Sequence, residues 1–239
     1  MYVGQRLRRY MSRLRLGPAA RAVVRDRLTY LPVEKLVRIE RALHEVDMKG
    51  VEGDVVEFGV ALGGSGIVLA RGSRRRRRYF GLDVFGMIPP PTSDKDGVKS
   101  KARYEVISAG EADGIRGDTY YGYRDNLLEE VKTSFARHEV PVDEESVHLV
   151  PGLFEESWPR LDVDKVALVH VDCDWYDPVR YSLNAVSDRL EVGGIVVIDD
   201  YYDYEGCRAG VEEFFAERDD FVFEDGRNPF LRKIAPIRH

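Results

Sequence analysis

Apolar and polar positions fall in blocks that read alternately as strands and helices. Val55-Val56-Glu57-Phe58, Tyr79-Phe80-Gly81-Leu82, residues 146–150, Val166–Val171 and residues 193–198 are short apolar runs bounded by glycine or charge. That is the pattern of strands covered on both faces. Between them apolar residues recur at helical spacing. Leu31-Pro32 opens a helix whose stripe is Val33, Leu36, Ile39, Leu43 and Val46, and Met48-Lys49-Gly50 closes it. Further helices are expected from Ile67, over 126–135 through Leu127, Leu128, Val131 and Phe135, over 177–190 and over 208–217. Strands alternating with helices predict an α/β fold with a doubly wound, mostly parallel, Rossmann-like sheet behind N-terminal helices.

Two stretches break the alternation. In the first thirty residues, Arg6, Arg8, Arg9, Arg13, Arg15, Arg21, Arg25 and Arg27 face one acid, Asp26. Leu7, Met11, Leu14 and Leu16 give this segment an amphipathic spacing until Gly17-Pro18 interrupts it. A contact with the domain or with a sister subunit is expected, so residues 1–50 read as a helical lid or oligomer contact ahead of a domain at 51–239. Residues 88–123 form the second exception. Pro89, Pro90 and Pro91 forbid a regular element early on, and Gly117–Tyr123 is rich in aromatics, the mark of a substrate-side loop.

Composition narrows the partners. A chain of 239 residues with 44% apolar content suits one decorated α/β domain. A net charge of −6 argues against nucleic acid, and the arginines at 74–78 read as a solvated turn before a core strand. Cys173 and Cys207 provide neither a disulfide framework nor zinc spacing, so a reducing cytoplasm is expected. No apolar run approaches the ~18 residues of a membrane span, and no signal peptide is evident.

The chemistry gathers at the strand ends. Gly59-Val60-Ala61-Leu62-Gly63-Gly64-Ser65 follows the first strand and opens a helix. Such a turn presents backbone N–H groups to a nucleotide-like ligand, although its spacing is not the dinucleotide fingerprint and it lacks a phosphate-loop lysine. Asp83, at the tip of the second strand, suits ribose hydroxyls. The fourth strand ends in Asp172-Cys173-Asp174-Trp175-Tyr176 and the fifth in Asp199-Asp200-Tyr201, while Glu57 and Asp83 lie further along the same edge. Any one of these acids serves as a helix cap or turn residue. Two sets at two strand ends crowd enough like charge to call for a cation. An oxygen-only donor set selects Mg²⁺, with Mn²⁺ or Ca²⁺ as alternatives. His148 and His170, inside apolar strands, read as core residues, and Cys173 between acids is a poor nucleophile.

Together, Glu57-x-Gly59-x-x-x-Gly63-Gly64-Ser65, Asp83-Val84-Phe85-Gly86, Asp172-x-Asp174-Trp175-Tyr176 and Ile198-Asp199-Asp200-Tyr201 resemble the macrocin O-methyltransferase family. The resemblance runs from about Leu31 to about Phe215 and departs at Gly86-Met87, which lacks the acid of the acid–glycine pair the family commonly has after the phenylalanine. It implies a class I fold and an S-adenosylmethionine- and Mg²⁺-dependent enzyme that methylates sugar hydroxyls of glycosides. By the same resemblance Asp172, Asp199 and Asp200 would hold the metal and Asp174 would be the general base. Glu57, Gly59, Gly63, Ser65, Asp83 and Asp172 would bind the donor, with Gly152 and Phe154 near its adenine. Tyr201, Tyr202, Tyr204 and the tyrosines of Gly117–Tyr123 are candidates to stack on the sugar. A small-molecule glycoside and a second copy of the chain are the implied partners. Two other enzyme readings compete. A catechol-type O-methyltransferase places a lysine where this chain has Trp175, and a glycosyltransferase using Asp172-Cys173-Asp174 as a D-x-D leaves the glycine loop without a role. A non-enzymatic cofactor-binding regulator would have no need of Asp174.

Overall fold

A computed structural model of the chain describes residues 15–73 and 76–236. The arginine-rich segment up to residue 14, with Leu7, Met11 and Leu14, and the arginines at 74 and 75 lie outside the described residues. Among the described residues the first full helices are α1 (Pro18–Arg25) and α2 (Val33–Met48). Then β1 (Asp54–Phe58), α3 (Gly64–Ser73) and β2 (Tyr79–Asp83) form the first βαβ unit. They are followed by α4 (Val98–Ser108), α5 (Leu127–Arg137), β3 (Val147–Pro151), the single turn α6 (Phe154–Ser157), β4 (Val166–Val171), α7 (Tyr176–Ser187), β5 (Leu190–Ile198) and α8 (Glu205–Ala216). A closing hairpin consists of β6 (Phe221–Glu224) and β7 (Phe230–Lys233).

The seven strands lie in the order β3-β2-β1-β4-β5-β7-β6. Pairs among β1 to β5 are parallel, whereas β7 runs antiparallel to both β5 and β6. Sequence order reverses between β1 and β4, the point where open α/β sheets place a ligand crevice. One face of the sheet is covered by α1, α2, α3 and α5 through Leu36, Ile39, Ile67, Leu69 and Phe135. The other is covered by α7 and α8 through Val179, Leu183, Val211 and Phe214. Every residue of β1, β2 and β4 is buried, the acids Asp54, Glu57 and Asp83 included, as in strands covered on both faces.

Three expectations change. The stretch at 88–123 is not irregular throughout, because it contains the eleven-residue α4. Only Ser100 and Ile107 of that helix are buried, so it carries almost no apolar stripe to betray it. The hairpin β6–β7 escaped notice because each strand is four residues long. Its Phe230 is fully buried, with the Arg38 guanidinium 4.2 Å from its ring centroid. The arginine run is not merely solvated. Arg77 donates to the Gly53 carbonyl at 2.8 Å and to Asp47 Oδ1, and Arg78 holds Asp54 Oδ2 at 2.6 Å. Both clamp the entry to β1.

Candidate active site

A cavity of about 810 Å³ opens beyond the carboxyl ends of β1, β2, β4 and β5. Its inner wall is the β1–α3 loop. Gly59 has φ +94°, and a Cβ there would meet the Asp172 carbonyl oxygen at 1.8 Å, so only glycine lets the loop cross the end of β4. Asp83 stitches the same loop in place. Its Oδ2 accepts from Val60 N at 2.7 Å and Ala61 N at 2.9 Å, and its Oδ1 accepts from Phe85 N at 2.7 Å. Burial raises its pKa, and those three N–H donors work against the rise.

Strand register brings the acids together. Val171 of β4 pairs with Ile198 of β5, so the next residues, Asp172 and Asp199, leave the sheet side by side. Asp172 N donates to Phe58 O and Asp199 N to Val171 O, both at 2.9 Å, which extends the ladder one residue into the site. One carboxylate oxygen from each of Asp172, Asp199 and Asp200 lies within 4.8 Å of the others. Asp199 Oδ1 and Asp200 Oδ2 are buried with no hydrogen-bond partner. Burial and then the neighbouring carboxylates raise Asp172 to about 8 and push Asp200 well above the usual range. Burial lifts Asp174 to about 6, partly offset by a hydrogen bond with Asp200 and the charge of Arg103. Asp174 is also held at φ +59°, a left-handed conformation that aspartate tolerates better than most residues.

A buried lysine is bonded directly to this cluster. Lys35 of α2, only 4% exposed, donates from Nζ to Asp199 Oδ2 at 2.7 Å, to the Asp199 carbonyl at 2.9 Å and to Asp203 Oδ2 at 2.9 Å. Burial works against its charge, but Asp199 outweighs it and the lysine pKa is raised. Asp199 therefore has one oxygen held by Lys35 while the other stays unpartnered. Nothing in the sequence flags Lys35. It sits within the apolar stripe of α2, and its acidic partner lies 164 residues away.

Gly59, Ser65, Asp83, Phe154, Asp172, Asp174, Asp199 and Asp200 all line the cavity. Three other expected donor contacts do not. Glu57 is completely buried behind the loop, one oxygen taken by the Tyr79 hydroxyl and the other 2.8 Å from His170 Nδ1. Gly63 faces inward, where a Cβ would meet Phe135 at 2.9 Å. Gly152 turns the chain out of β3 with φ +129° and donates its N–H to the Asp83 carbonyl at 3.0 Å. Of the tyrosines, Tyr120, Tyr121 and Tyr204 reach the cavity. Tyr201 and Tyr202 do not, their hydroxyls being engaged by Glu212 and Asp225. His170 is a core residue fixed by Glu57, while His148 stacks on Phe80 at 4.4 Å. Cys173 is buried, which together with the flanking acids raises its thiol pKa further from reactivity.

The far wall comes from the 88–123 segment. Trp175 Nε1 donates to the Pro89 carbonyl at 3.0 Å, and Tyr176 N donates to Asp96 Oδ1 at 2.9 Å. These bonds anchor the segment over the acid cluster. Lys99 and Arg103 of α4 line the cavity together with Tyr120 and Tyr121. A deep crevice thus joins a glycine loop, a carboxylate triad with open lone pairs and an adjacent fourth carboxylate.

The macrocin-O-methyltransferase (TylF) family matches residues 13–221. The 8-demethyl-8-(2,3-dimethoxy-alpha-L-rhamnosyl)-tetracenomycin-C 4'-O-methyltransferase of Streptomyces olivaceus is 28% identical over 214 residues, 87% of this chain and 76% of that protein. The demethyldecarbamoylnovobiocin O-methyltransferase of Streptomyces niveus is 29% identical over 202 residues, covering 80% and 69%. Among solved structures, the O-methyltransferase NovP superposes with a TM-score of 0.71 at 24% identity, covering 87% of this chain and 82% of that one.

Proposed function

The chain belongs to the macrocin-O-methyltransferase family and is an O-methyltransferase, and from that premise we propose that it methylates a sugar hydroxyl of a small-molecule glycoside. In this reading S-adenosylmethionine is the donor, Asp172, Asp199 and Asp200 hold Mg²⁺, with Mn²⁺ as the substitute, and Asp174 is the base. The observation that carries it is the pair of buried, unpartnered oxygens, Asp199 Oδ1 and Asp200 Oδ2, within a three-carboxylate cluster. Buried carboxylate oxygens without donors are costly, and a hard divalent ion is the partner their chemistry suits. The rhamnosyl acceptor named for the Streptomyces olivaceus relative supports a sugar substrate.

When bound, the donor supplies an electrophilic methyl and the cation supplies Lewis acidity toward an acceptor hydroxyl. The remaining work belongs to the chain. The loop from Gly59 to Ser65, braced by Asp83, shapes the donor wall. Asp174, raised to about 6, is ionised near neutral pH and basic enough to take the hydroxyl proton on its carboxylate. Trp175, Tyr120, Tyr121 and Tyr204 enclose the acceptor side and exclude water. Alignment of acceptor oxygen and methyl is where such a transfer gains most, ~7 kcal/mol or more. Family membership leaves the D-x-D glycosyltransferase without support, and Trp175 in place of a lysine weighs against the catechol type.

Isothermal calorimetry with S-adenosylhomocysteine, with and without Mg²⁺, and transfer of labelled methyl to a glycoside panel test the reading. Donor-product binding and metal-dependent labelling are the expected results. Absence of both would sink it. A cytoplasmic home and self-association through the N-terminal helices complete the proposal, and light scattering of the purified chain checks the latter. No helix among the described residues is long and apolar enough to cross a membrane.

A further inference from the structure

Most arginines shielded to a similar degree elsewhere in the fold have carboxylate partners, Arg189, which lies over the Trp158 ring away from the cavity, being an exception. Arg77 meets Asp47, Arg78 meets Asp54, Arg218 meets Asp220 and Arg232 meets Glu224. Arg103 does not follow this pattern. It is half-buried and lines the cavity, yet among the described residues its guanidinium has no hydrogen bond and no ion pair. Its guanidinium carbon lies 5.6 Å from the centroid of the Tyr120 ring. Its charge reaches Asp174 on the acceptor side of the acid cluster. Lys99, one helical turn earlier, lines the same cavity with its ammonium 4.8 Å from the Tyr204 ring centroid. Positions i and i+4 share a helix face, so α4 offers the acceptor wall two cations framed by two tyrosines. Lys35 and Arg227 line the cavity as well, in a chain whose net charge is −6.

We propose that the acceptor is anionic, a sugar bearing a carboxylate or a phosphate close to the hydroxyl that is methylated, and that Arg103, seconded by Lys99, selects it. This rests on the sugar-methyltransferase reading above. A guanidinium without a partner in a partly dry wall is complementary to a planar carboxylate or a phosphate, which it binds through paired, charge-assisted hydrogen bonds. A neutral hydroxyl would leave its charge uncompensated. Among the acids of the site, Asp199 and Asp203 are held by Lys35, and Lys99 donates to the Asp203 backbone carbonyl, and none of them is bonded to Arg103.

The full chain with labelled S-adenosylmethionine and Mg²⁺ would be offered matched acceptors: hexuronides, hexose 1-phosphates and nucleoside-diphosphate hexoses, each beside its neutral glycoside. Labelling confined to uronides would make the anion a carboxylate, and labelling confined to the phosphorylated sugars would make it a phosphate. In either case Arg103→Met should lower kcat/KM for the anionic acceptor by about 10- to 100-fold, the scale of a hydrogen bond to a charged group. Because Arg103 also bears on Asp174, the neutral counterpart can lose some activity too, but its loss should be about tenfold smaller. Lys99→Met should act in the same direction more weakly, and added salt should raise the acceptor KM of the native protein more than that of the variant. Equal or better use of the neutral glycosides, or an equal loss on both classes, overturns the proposal. So does a weakened S-adenosylhomocysteine Kd with unchanged acceptor discrimination, which would assign Arg103 to the donor's carboxylate. If sugars of neither charge are labelled although S-adenosylhomocysteine binds, the sugar reading falls and this inference falls with it.

Discussion

Asp174 and Lys35 touch the same acid cluster and fail in different ways. Asp174 holds no fold contact that asparagine could not imitate, so Asp174→Asn should lower kcat by about 10²- to 10⁴-fold, the usual worth of a positioned base. S-Adenosylhomocysteine affinity, read by calorimetry, should remain. Turnover surviving at a tenth of the native rate would remove Asp174 from the base role. Lys35→Met instead leaves the buried Asp199 without its hydrogen-bonded counter-charge. Removing one partner of a buried pair costs about 3–5 kcal/mol, and here the lysine and Asp199 side chains are 5% and 4% exposed. Urea denaturation should register that loss before any activity assay does. The four aspartates were legible because chemistry repeated at two strand ends is rare in a spare loop. Lys35 and Arg103 were not, because a lone basic residue on a helix reads as solvated until the opposing wall is in view.

At the scale of elements, the five parallel strands could be read from short, mainly apolar runs, with boundaries shifted by one residue or a few. The ends of β4 and β5 were visible, but their one-to-one register, which puts Asp172 beside Asp199, is a property of pairing that no single strand encodes. Glu57 shows the converse error. It lies at the right edge by position, yet Tyr79 and His170 from neighbouring strands close over it. Helix α4 stayed hidden because it buries only Ser100 and Ile107 and its inner face meets a cavity instead of a core. Two substitutions probe these elements. Gly59→Ala should abolish donor-product binding in calorimetry, since both its φ of +94° and the 1.8 Å approach to Asp172 O oppose a methyl group. Trp175→Phe keeps the ring but loses the bond to Pro89 O. With about 1 kcal/mol at stake, acceptor KM should rise severalfold while S-adenosylhomocysteine Kd stays unchanged.

Over the whole molecule, the site draws on both faces of the sheet and on nearly the full span of the chain. A divalent ion held only by the native arrangement would stabilise it by about 2.7 kcal/mol at a hundredfold excess over Kd. Thermal unfolding should therefore rise with Mg²⁺ in the native protein and stay flat in Asp199→Asn, and EDTA should stop turnover reversibly. A native Tm indifferent to both Mg²⁺ and EDTA would count against the metal. Helix α2 cannot be trimmed as an accessory, because Leu36, Ile39 and Val46 belong to the main core and Lys35 to the acid cluster.

The bond between Lys35 and Asp199 also joins two motions. For α2 to lift away from the sheet, its ammonium must release the end of β5, so transient opening of the helix and exposure of the carboxylates are one event. Amide protons in the middle of α2 should then exchange with deuterium more slowly once ligands fill the crevice, although no residue near Ile39 or Leu43 comes within reach of them.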